Sequence, residues 1–528
     1  MKVFPRKVLI LFIAILLLKV IISFGVSNPS VLSDEYIYFK LGESIHNEQT
    51  FKVNEATDIQ YPPLYSLIIS PAFFFRDRDI QFKTIQWINA LLSSAIIFIT
   101  YYFAKELINS EKKAFIATLI VALLPSNIII SNYIMSENLF YPISLLTIYL
   151  IWKSYKEENI KWELLAGITL GLCILTRTLG LGIAIAAGGM IVYKGIQKKS
   201  IKEIARKSIT IVIAGILTSL WILRQWIQTG SVLGNGYKYI AEATPNEYKA
   251  FSFIVWIILY TAALITTSYI IYSQNFTERK TDNFKILSLL IITIGIGIAA
   301  YHSANYTLSE IVIRGRPITR YVNYVLPLII IGGVTKSQKN ESKLKYLLIF
   351  LPFLTIYPLF PFNNPNLTIL GIITELTKQA HALLPALIVL GIAILGVLYY
   401  KKLNTKMILS ILIISSIAAT AVNIYVSEKE WNNNTQIQIA KEIRKLPQEV
   451  IVLDMKEEGL TTKEGENLYE RIGENLYITL LDMKTEKKIE IKNLSKEEIK
   501  KGSIIITKKE REERKIKEQG GYKIYVKE

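Results

Sequence analysis

The sequence predicts an α-helical polytopic membrane protein with about thirteen transmembrane helices and a small C-terminal extracytoplasmic α/β domain, and three observations predict it. The 528 residues are 51% hydrophobic with mean hydropathy +0.34, and the apolar residues are bunched into runs near the roughly 20 residues that cross a bilayer. Lys and Arg concentrate in alternate links between those runs, as in cytoplasmic loops. After Tyr425 the composition turns polar and rich in Lys and Glu, with short alternating stretches.

The runs are 8–26, 82–103, 114–130, 139–151, 162–175, 179–193, 209–223, 251–272, 284–301, 321–334, 344–360, 383–400 and 407–425. The first has a basic flank and no small-residue cleavage site, so it is expected to stay as a helix rather than be removed as a signal peptide. The basic links are "KELINSEKK", "KSYKEENIK", "KGIQKKSIKEIARK", "TERKTDNFK", "TKSQKNESKLK" and "KKLNTK". They place the N-terminus in the cytoplasm and the segment after the last run outside, in a plasma membrane protein. That orientation depends on "WELLAGITLGLCILTRTLGLGIAIAAGGMIVYK" being a hairpin of two short helices turning at Thr176 and Arg177, the alternative being one over-long helix.

Residues 1–425 are therefore expected to form the transmembrane module, with a first outer loop over 27–81, and residues 426–528 a soluble extracytoplasmic domain. In the tail, "EVIVLDM", "LYITLLDMK", "KKIEIKN", "GSIIITKK" and "GGYKIYVKE" read as strands, and "NTQIQIAKEIRKL" and "LSKEEIKK" as helices. The net charge of +18 is accounted for by loops and tail, so no nucleic acid is expected as partner. The single Cys173 excludes an intramolecular disulfide framework. The abundance of Lys, Ile and Glu is compatible with a heat-adapted archaeon.

Charges near the outer membrane face carry the functional signal, since an Arg or Asp at bilayer depth costs about 2.5 to 3.5 kcal/mol on insertion scales. The first outer loop opens on "SDEYIYFKLGESIHN", where Ser33 reads as an N-cap and Asp34 and Glu35 fall in the first turn, favoured there by the helix dipole. "DIQYPPLYSLIISPAFFF" follows, with Pro62 and Pro63 ahead of a short apolar helix suited to the interface. "SNYIMSENLFYP" starts a helix at Glu137, "LTRTLG" carries Arg177, and "WILRQWIQTGSVLG" carries Arg224. "NYTLSEIVIRGRPITRYVNYVLPL" brings Arg314, Arg316 and Arg320 ahead of a helix. Singly, each acid is an ordinary helix start and each Arg a snorkelling interface residue. As a converging set, the guanidinium groups suit bidentate phosphate contacts.

In their order, Asp34-Glu35, "YPPLY", "YIMSENLF", "LTRTLGL", "WILRQW" with Gly230, and "TRYVNYVLPL" resemble the C-type (GT-C) membrane glycosyltransferases. The resemblance spans nearly all of the first 335 residues and is nearest to the branch of dolichyl-phosphate-mannose protein mannosyltransferases and lipid A aminoarabinose transferase. It implies a GT-C-like fold and transfer of a sugar, with inversion, from a polyprenyl (dolichyl) phosphate to an acceptor hydroxyl on the extracytoplasmic face. It implies Asp34 as general base, Glu35 and Glu137 orienting acceptor or sugar, and Tyr61 and Tyr65 lining the sugar site. Arg177, Arg224, Arg316 and Arg320 are implied for the donor phosphate. The acceptor is a lipid-linked glycan, a lipid or a protein.

The Trp-Trp-Asp-Tyr-Gly signature of oligosaccharyltransferases is absent, which argues against en bloc transfer to asparagine. No cofactor is firmly expected, and no Cys/His spacing supports a divalent metal; His302 with Glu137 is the nearest approach to one. Two other classes share some of these features: a secondary transporter of a small solute, and a non-catalytic cell-envelope assembly protein. Transporters have repeated halves and small outer loops, unlike this chain's long first loop.

Overall fold

The computed structural model describes residues 5–29, 33–53, 61–157, 159–230, 232, 249–277, 279–304, 318–334, 405–428, 434–454, 482–492, 499–519 and 521–528. The helices in chain order are α1 (Arg6–Ser23), α2 (Ser33–Glu48), α3 (Pro63–Ile69), α4 (Arg78–Ser94), α5 (Ile96–Ile108), α6 (Glu111–Ala122), α7 (Pro125–Ile129) and α8 (Glu137–Glu157). They continue with α9 (Ile160–Thr176), α10 (Gly180–Lys198), α11 (Ile201–Thr229), α12 (Lys249–Thr267), α13 (Tyr269–Thr277), α14 (Asn283–Ser303), α15 (Leu326–Gly333), α16 (Thr405–Val426) and α17 (Thr435–Ile443).

Several helices turn apolar residues outward. On α1, Ile10, Ile13, Leu17 and Ile21 are exposed, while Val8, Ile15, Lys19 and Ile22 are buried. On α11, Ile216, Leu220, Leu223 and Ile227 form an exposed stripe at spacings of four, three and four, one helical face. A water-soluble helix shows the reverse, and this arrangement fits a helix solvated by lipid tails. The chain is a multi-pass membrane protein.

Among the described residues six helices are long and apolar enough to cross a membrane, or seven if the bent pair of Glu111–Ala122 and Pro125–Asn132 is one span. About thirteen runs were expected, of which 344–360 and 383–400 lie outside the described residues. Others fall short for identifiable reasons. Arg6, Lys7 and Lys19 break up α1, α9 has only 17 residues, and the stretch before Val334 is divided between 3-10 turns at 319–325 and the eight-residue α15. Pro125 at the start of α7 bends the preceding helix by 58°. The stretch 162–194 is two helices rather than one: Arg177 is extended (φ −158°, ψ 133°) and ends α9.

Contacts divide the chain into two compact units, one of 1–20, 89–131 and 136–423, the other of 21–88, 132–135 and 424–528. The residues of the expected tail domain fall in the second of these units. Its five-stranded sheet comprises β1 (Val450–Asp454), β2 (Lys488–Lys492), β3 (Ser503–Thr507), β4 (Arg514–Gln519) and β5 (Tyr522–Lys527), in the order β2-β1-β3-β5-β4. β1 runs parallel to β2 and β3, whereas β5 is antiparallel to β3 and β4. Central β3 is buried throughout, and Val452, Ile499, Ile505 and Tyr525 pack together as a core. Edge strand β4 is charged and exposed, with a register irregularity at Lys515–Lys517; both features discourage edge-to-edge pairing. The expected strand "LYITLLDMK" differs at its described end: residues 482–484 form a helical turn. The expected helix "LSKEEIKK" lies mostly outside the described residues.

Candidate active-site elements

In the unit that holds residues 21–88, α2 begins at Ser33, so Asp34 and Glu35 stand in its first turn. Their side chains leave the helix about 100° apart and meet different surroundings. Asp34 is half-buried, and the Tyr61 hydroxyl donates to its Oδ1 at 2.5 Å. Tyr61 is fixed by the extended Pro62 (φ −62°, ψ 149°) that leads into α3. One turn along α2 from Asp34, the Tyr38 ring meets Tyr61 and Tyr65 edge-on, with centroids 5.1 and 5.0 Å away. Tyr65 is fully buried and Tyr61 half-buried. Glu35, by contrast, is 0% exposed, and its Oε1 accepts from the Ile134 backbone N–H at 3.0 Å. Asp34 is thus the member of the pair with open surface, while Glu35 ties α2 to the second loop.

In the other unit, Glu137 starts α8 and is 1% exposed. Arg177 Nη1 lies 2.6 Å from its Oε2, and Arg320 Nη1 lies 3.0 Å from its Oε1. Arg177 also donates to Ser136 Oγ at 3.3 Å. Its position follows from the break after α9, where a Cβ on Gly180 would lie 2.9 Å from Ile174 N and 3.0 Å from Cys173 C, so only glycine allows that close return. Arg320 sits in a 3-10 turn whose own carbonyl accepts from the Tyr141 hydroxyl at 2.8 Å. Tyr321 underlies both guanidinium groups, 4.8 Å from Arg320 and 5.5 Å from Arg177. One carboxylate is thus shared by two guanidinium groups, in surroundings where charges act strongly.

Arg224 is half-buried on α11, with its guanidinium 5.1 Å from the Trp221 ring. Arg314 and Arg316 lie outside the described residues. His302 packs edge-on against Tyr321 at 5.2 Å. Among the described residues no group of three or more His, Cys, Asp or Glu side chains could hold a metal ion. Of the residues singled out from the sequence, the structure groups Asp34, Tyr61 and Tyr65, and separately Glu137, Arg177 and Arg320. Tyr38, Tyr141 and Tyr321 were missed, because a lone aromatic in a membrane protein resembles any other packing residue. The i, i+4 spacing of Asp34 and Tyr38 is the one signal that pointed to Tyr38.

Residues 60–230 match the model of the family Dolichyl-phosphate-mannose-protein mannosyltransferase. No curated protein matches the chain by sequence. Among solved structures, ArnT from Cupriavidus metallidurans bound to undecaprenyl phosphate is similar over 91% of this chain and 85% of that chain, with 13% identity and TM-score 0.59. Its apo state is similar over 92% and 85%, with 12% identity and TM-score 0.57. The apo oligosaccharyltransferase of Archaeoglobus fulgidus matches over 90% of this chain and 64% of that chain, with 12% identity and TM-score 0.47. The resemblance read from the motifs is upheld by the family match and by the fold. This chain therefore has the C-type membrane glycosyltransferase fold, and its residues 60–230 carry the pattern of the dolichyl-phosphate-mannose-protein mannosyltransferase family.

Proposed function

We propose that the protein is a glycosyltransferase that moves a sugar from a polyprenyl phosphate to an acceptor hydroxyl on the extracytoplasmic face of the membrane, with inversion. The observation that carries this reading is the buried Glu137 flanked by Arg177 and Arg320, a charged cluster in a fold shared with a protein crystallised with undecaprenyl phosphate. The N-terminus is cytoplasmic in this reading, and the domain formed by residues 426–528 is extracytoplasmic.

Chemically, Asp34 accepts the acceptor's hydroxyl proton as its oxygen bonds to the anomeric carbon. The bond from that carbon to the phosphate oxygen breaks, and the electron pair leaves with the polyprenyl phosphate. The phosphodiester monoanion becomes a dianion, so one negative charge develops where Arg177 and Arg320, with Arg224 and Arg316, would stabilise it. Glu137 holds the first two of these cations in place. Single displacement inverts the sugar. Adjacent helix positions point about 100° apart, so Asp34 and Glu35 do not make the facing pair a retaining enzyme needs. Glu35, buried and bonded to Ile134, positions α2, while Tyr61 and Tyr65 line the sugar site.

The test uses purified full-length protein with radiolabelled dolichyl-phosphate-mannose as donor probe and membranes from a strain lacking the gene as acceptor source. Label should pass to the membranes, and Asp34→Asn should slow transfer by about 10²-fold or more, the usual contribution of a general base. Undiminished transfer by that variant overturns the assignment. Mass spectrometry of lipid-linked glycans and envelope proteins from the deletion strain identifies the sugar and the acceptor.

A further inference from the structure

The face of α2 opposite Asp34 is occupied. At about 100° per residue, Tyr36, Lys40 and Glu43 fall within one narrow sector lying about half a turn from Asp34 and Tyr38. The Tyr36 hydroxyl donates to Asp482 Oδ2 at 2.7 Å, although the two residues are separated by 446 positions. Lys40 Nζ lies 3.2 Å from the same oxygen and 2.6 Å from Glu43 Oε2. Arg78, the first residue of α4, completes the set: its Nη2 lies 2.6 Å from Glu43 Oε1, and its Nε donates to the Thr485 carbonyl at 3.0 Å. The neighbouring Lys484 pairs with Asp79, and Arg444 lies 2.9 Å from the other Asp79 oxygen.

Two cations and two carboxylates balance, and none of the four side chains is more than 16% exposed. Burial alone would raise the Glu43 carboxyl, yet Lys40 and Arg78 hold it down at about 2, so Glu43 is ionised at neutral pH. Such a quartet is costly to open, because losing one member strands a charge away from water. Asp482 is the member that joins α2 to the C-terminal part of the chain.

We propose that Asp482 is a positioning residue for Asp34. It grips the Tyr36–Lys40 face, so the rotation of α2 about its axis, and with it the direction of the Asp34 carboxylate toward Tyr61, is set by the C-terminal domain. This inference rests on Asp34 being the reacting carboxylate. The domain is then part of the catalytic apparatus rather than a solvated cap, and placing a base about 1 Å off can cost about 10²-fold in rate.

The readout is a 3-fluorotyrosine introduced at position 61 of the full-length protein and followed by fluorine NMR in detergent, without substrate. Its hydroxyl donates to Asp34, so its resonance reports where Asp34 stands. Asp482→Asn and Lys40→Met should each shift and broaden that resonance while thermal unfolding shows a folded protein. Glu528→Gln, which opens the exposed Arg514–Glu528 pair, should leave it unchanged. With dolichyl-phosphate-mannose as probe, Asp482→Asn should lower kcat by about 10-fold or more with little change in donor KM. Should Asp482→Asn fail to fold, Tyr36→Phe removes one hydrogen bond and no charge, and should move the resonance in the same direction. A Tyr61 resonance identical to wild type in both Lys40→Met and Tyr36→Phe overturns the proposal. Asp34→Asn must shift the resonance whatever its chemistry. Unaffected transfer in Asp34→Asn would sink the catalytic reading while leaving the grip on α2 measurable.

Discussion

Replacing Glu137 with Gln gives the sharpest prediction. The substitution keeps shape and one carbonyl acceptor but removes the charge that Arg177 and Arg320 share at 2.6 and 3.0 Å. Glu137 is 1% exposed, and the two Arg side chains are 14% and 10% exposed, so water repays little of the loss. Breaking a buried pair by deleting one partner costs about 3–5 kcal/mol, and here one change removes a charge shared by two cations. The expected loss is therefore at least about 3 kcal/mol, a change of more than 10²-fold in the unfolding equilibrium. Unfolding in detergent, followed by tryptophan fluorescence against denaturant, measures it. Two further results are required. Converting Glu137, Arg177 and Arg320 together to Met should recover most of the loss, since a buried ionic cluster is worth little net over well-packed apolar groups. If Arg177 and Arg320 hold the donor phosphate as proposed, undecaprenyl phosphate should stabilise Glu137→Gln more than wild type, because the substitution removes a negative charge that opposes the phosphate. Wild-type stability in Glu137→Gln, or a triple variant as unstable as the single, would refute the reasoning.

Glu43→Gln tests the α2 network by pH. The carboxyl stands at about 2 against an ordinary 4.5, so its stabilising contribution is present above about 4.5 and lost as pH falls through 2. The 2.5-unit difference corresponds to about 3 kcal/mol at neutral pH, and the variant should show a flatter acid limb in stability measured from pH 6 to 2. Gly180→Val puts side-chain atoms against Ile174 N and Cys173 C, and should destabilise by about 1–3 kcal/mol while weakening stabilisation by undecaprenyl phosphate through displacement of Arg177, both read in the same denaturant series. Lys207→Met leaves Glu163, which is 0% exposed and 2.6 Å from Lys207 Nζ, with Arg206 Nε at 3.4 Å as its remaining cation; a loss of about 1.5–3 kcal/mol is expected, smaller when Glu163→Met is added.

Local signals in the sequence survived into the structure where one element decides them. The starts of α2 and α8, the break at Arg177, and strands β1, β2, β3 and β5 all follow from acidic residues at a helix start, a short polar interruption or alternation with β-branched residues. β4 was missed because its residues, RKIKEQ, are almost wholly polar and exposed; pairing with β5, not its own pattern, makes it a strand. Lys207 closes a basic link that reads as solvated, yet it is 2% exposed against Glu163. Lys19, inside an apolar run, is buried with its ammonium 2.8 Å from Ser93 Oγ and 3.3 Å from Asn127 Oδ1. In each case the partner lies on another helix, and no periodicity along one strand of text records it. The same holds for the functional groups. Glu137, Arg177 and Arg320 were singled out one by one as charges out of place, but that a single carboxylate bridges both guanidinium groups is a three-dimensional fact. The pairing of Tyr36 and Lys40 with Asp482 carries no local trace at all.

The separation of 446 positions from Tyr36 to Asp482 also sets a schedule for biogenesis. A ribosome adding about 5–20 residues per second needs roughly 20 to 90 s to travel from one to the other. Through that interval the newly made α2 waits with Tyr36 and Lys40 lacking their carboxylate neighbour from the far end of the polypeptide. Nascent chains stalled before Asp482 should accordingly expose this helix to protease, and a few dozen more codons should close it off.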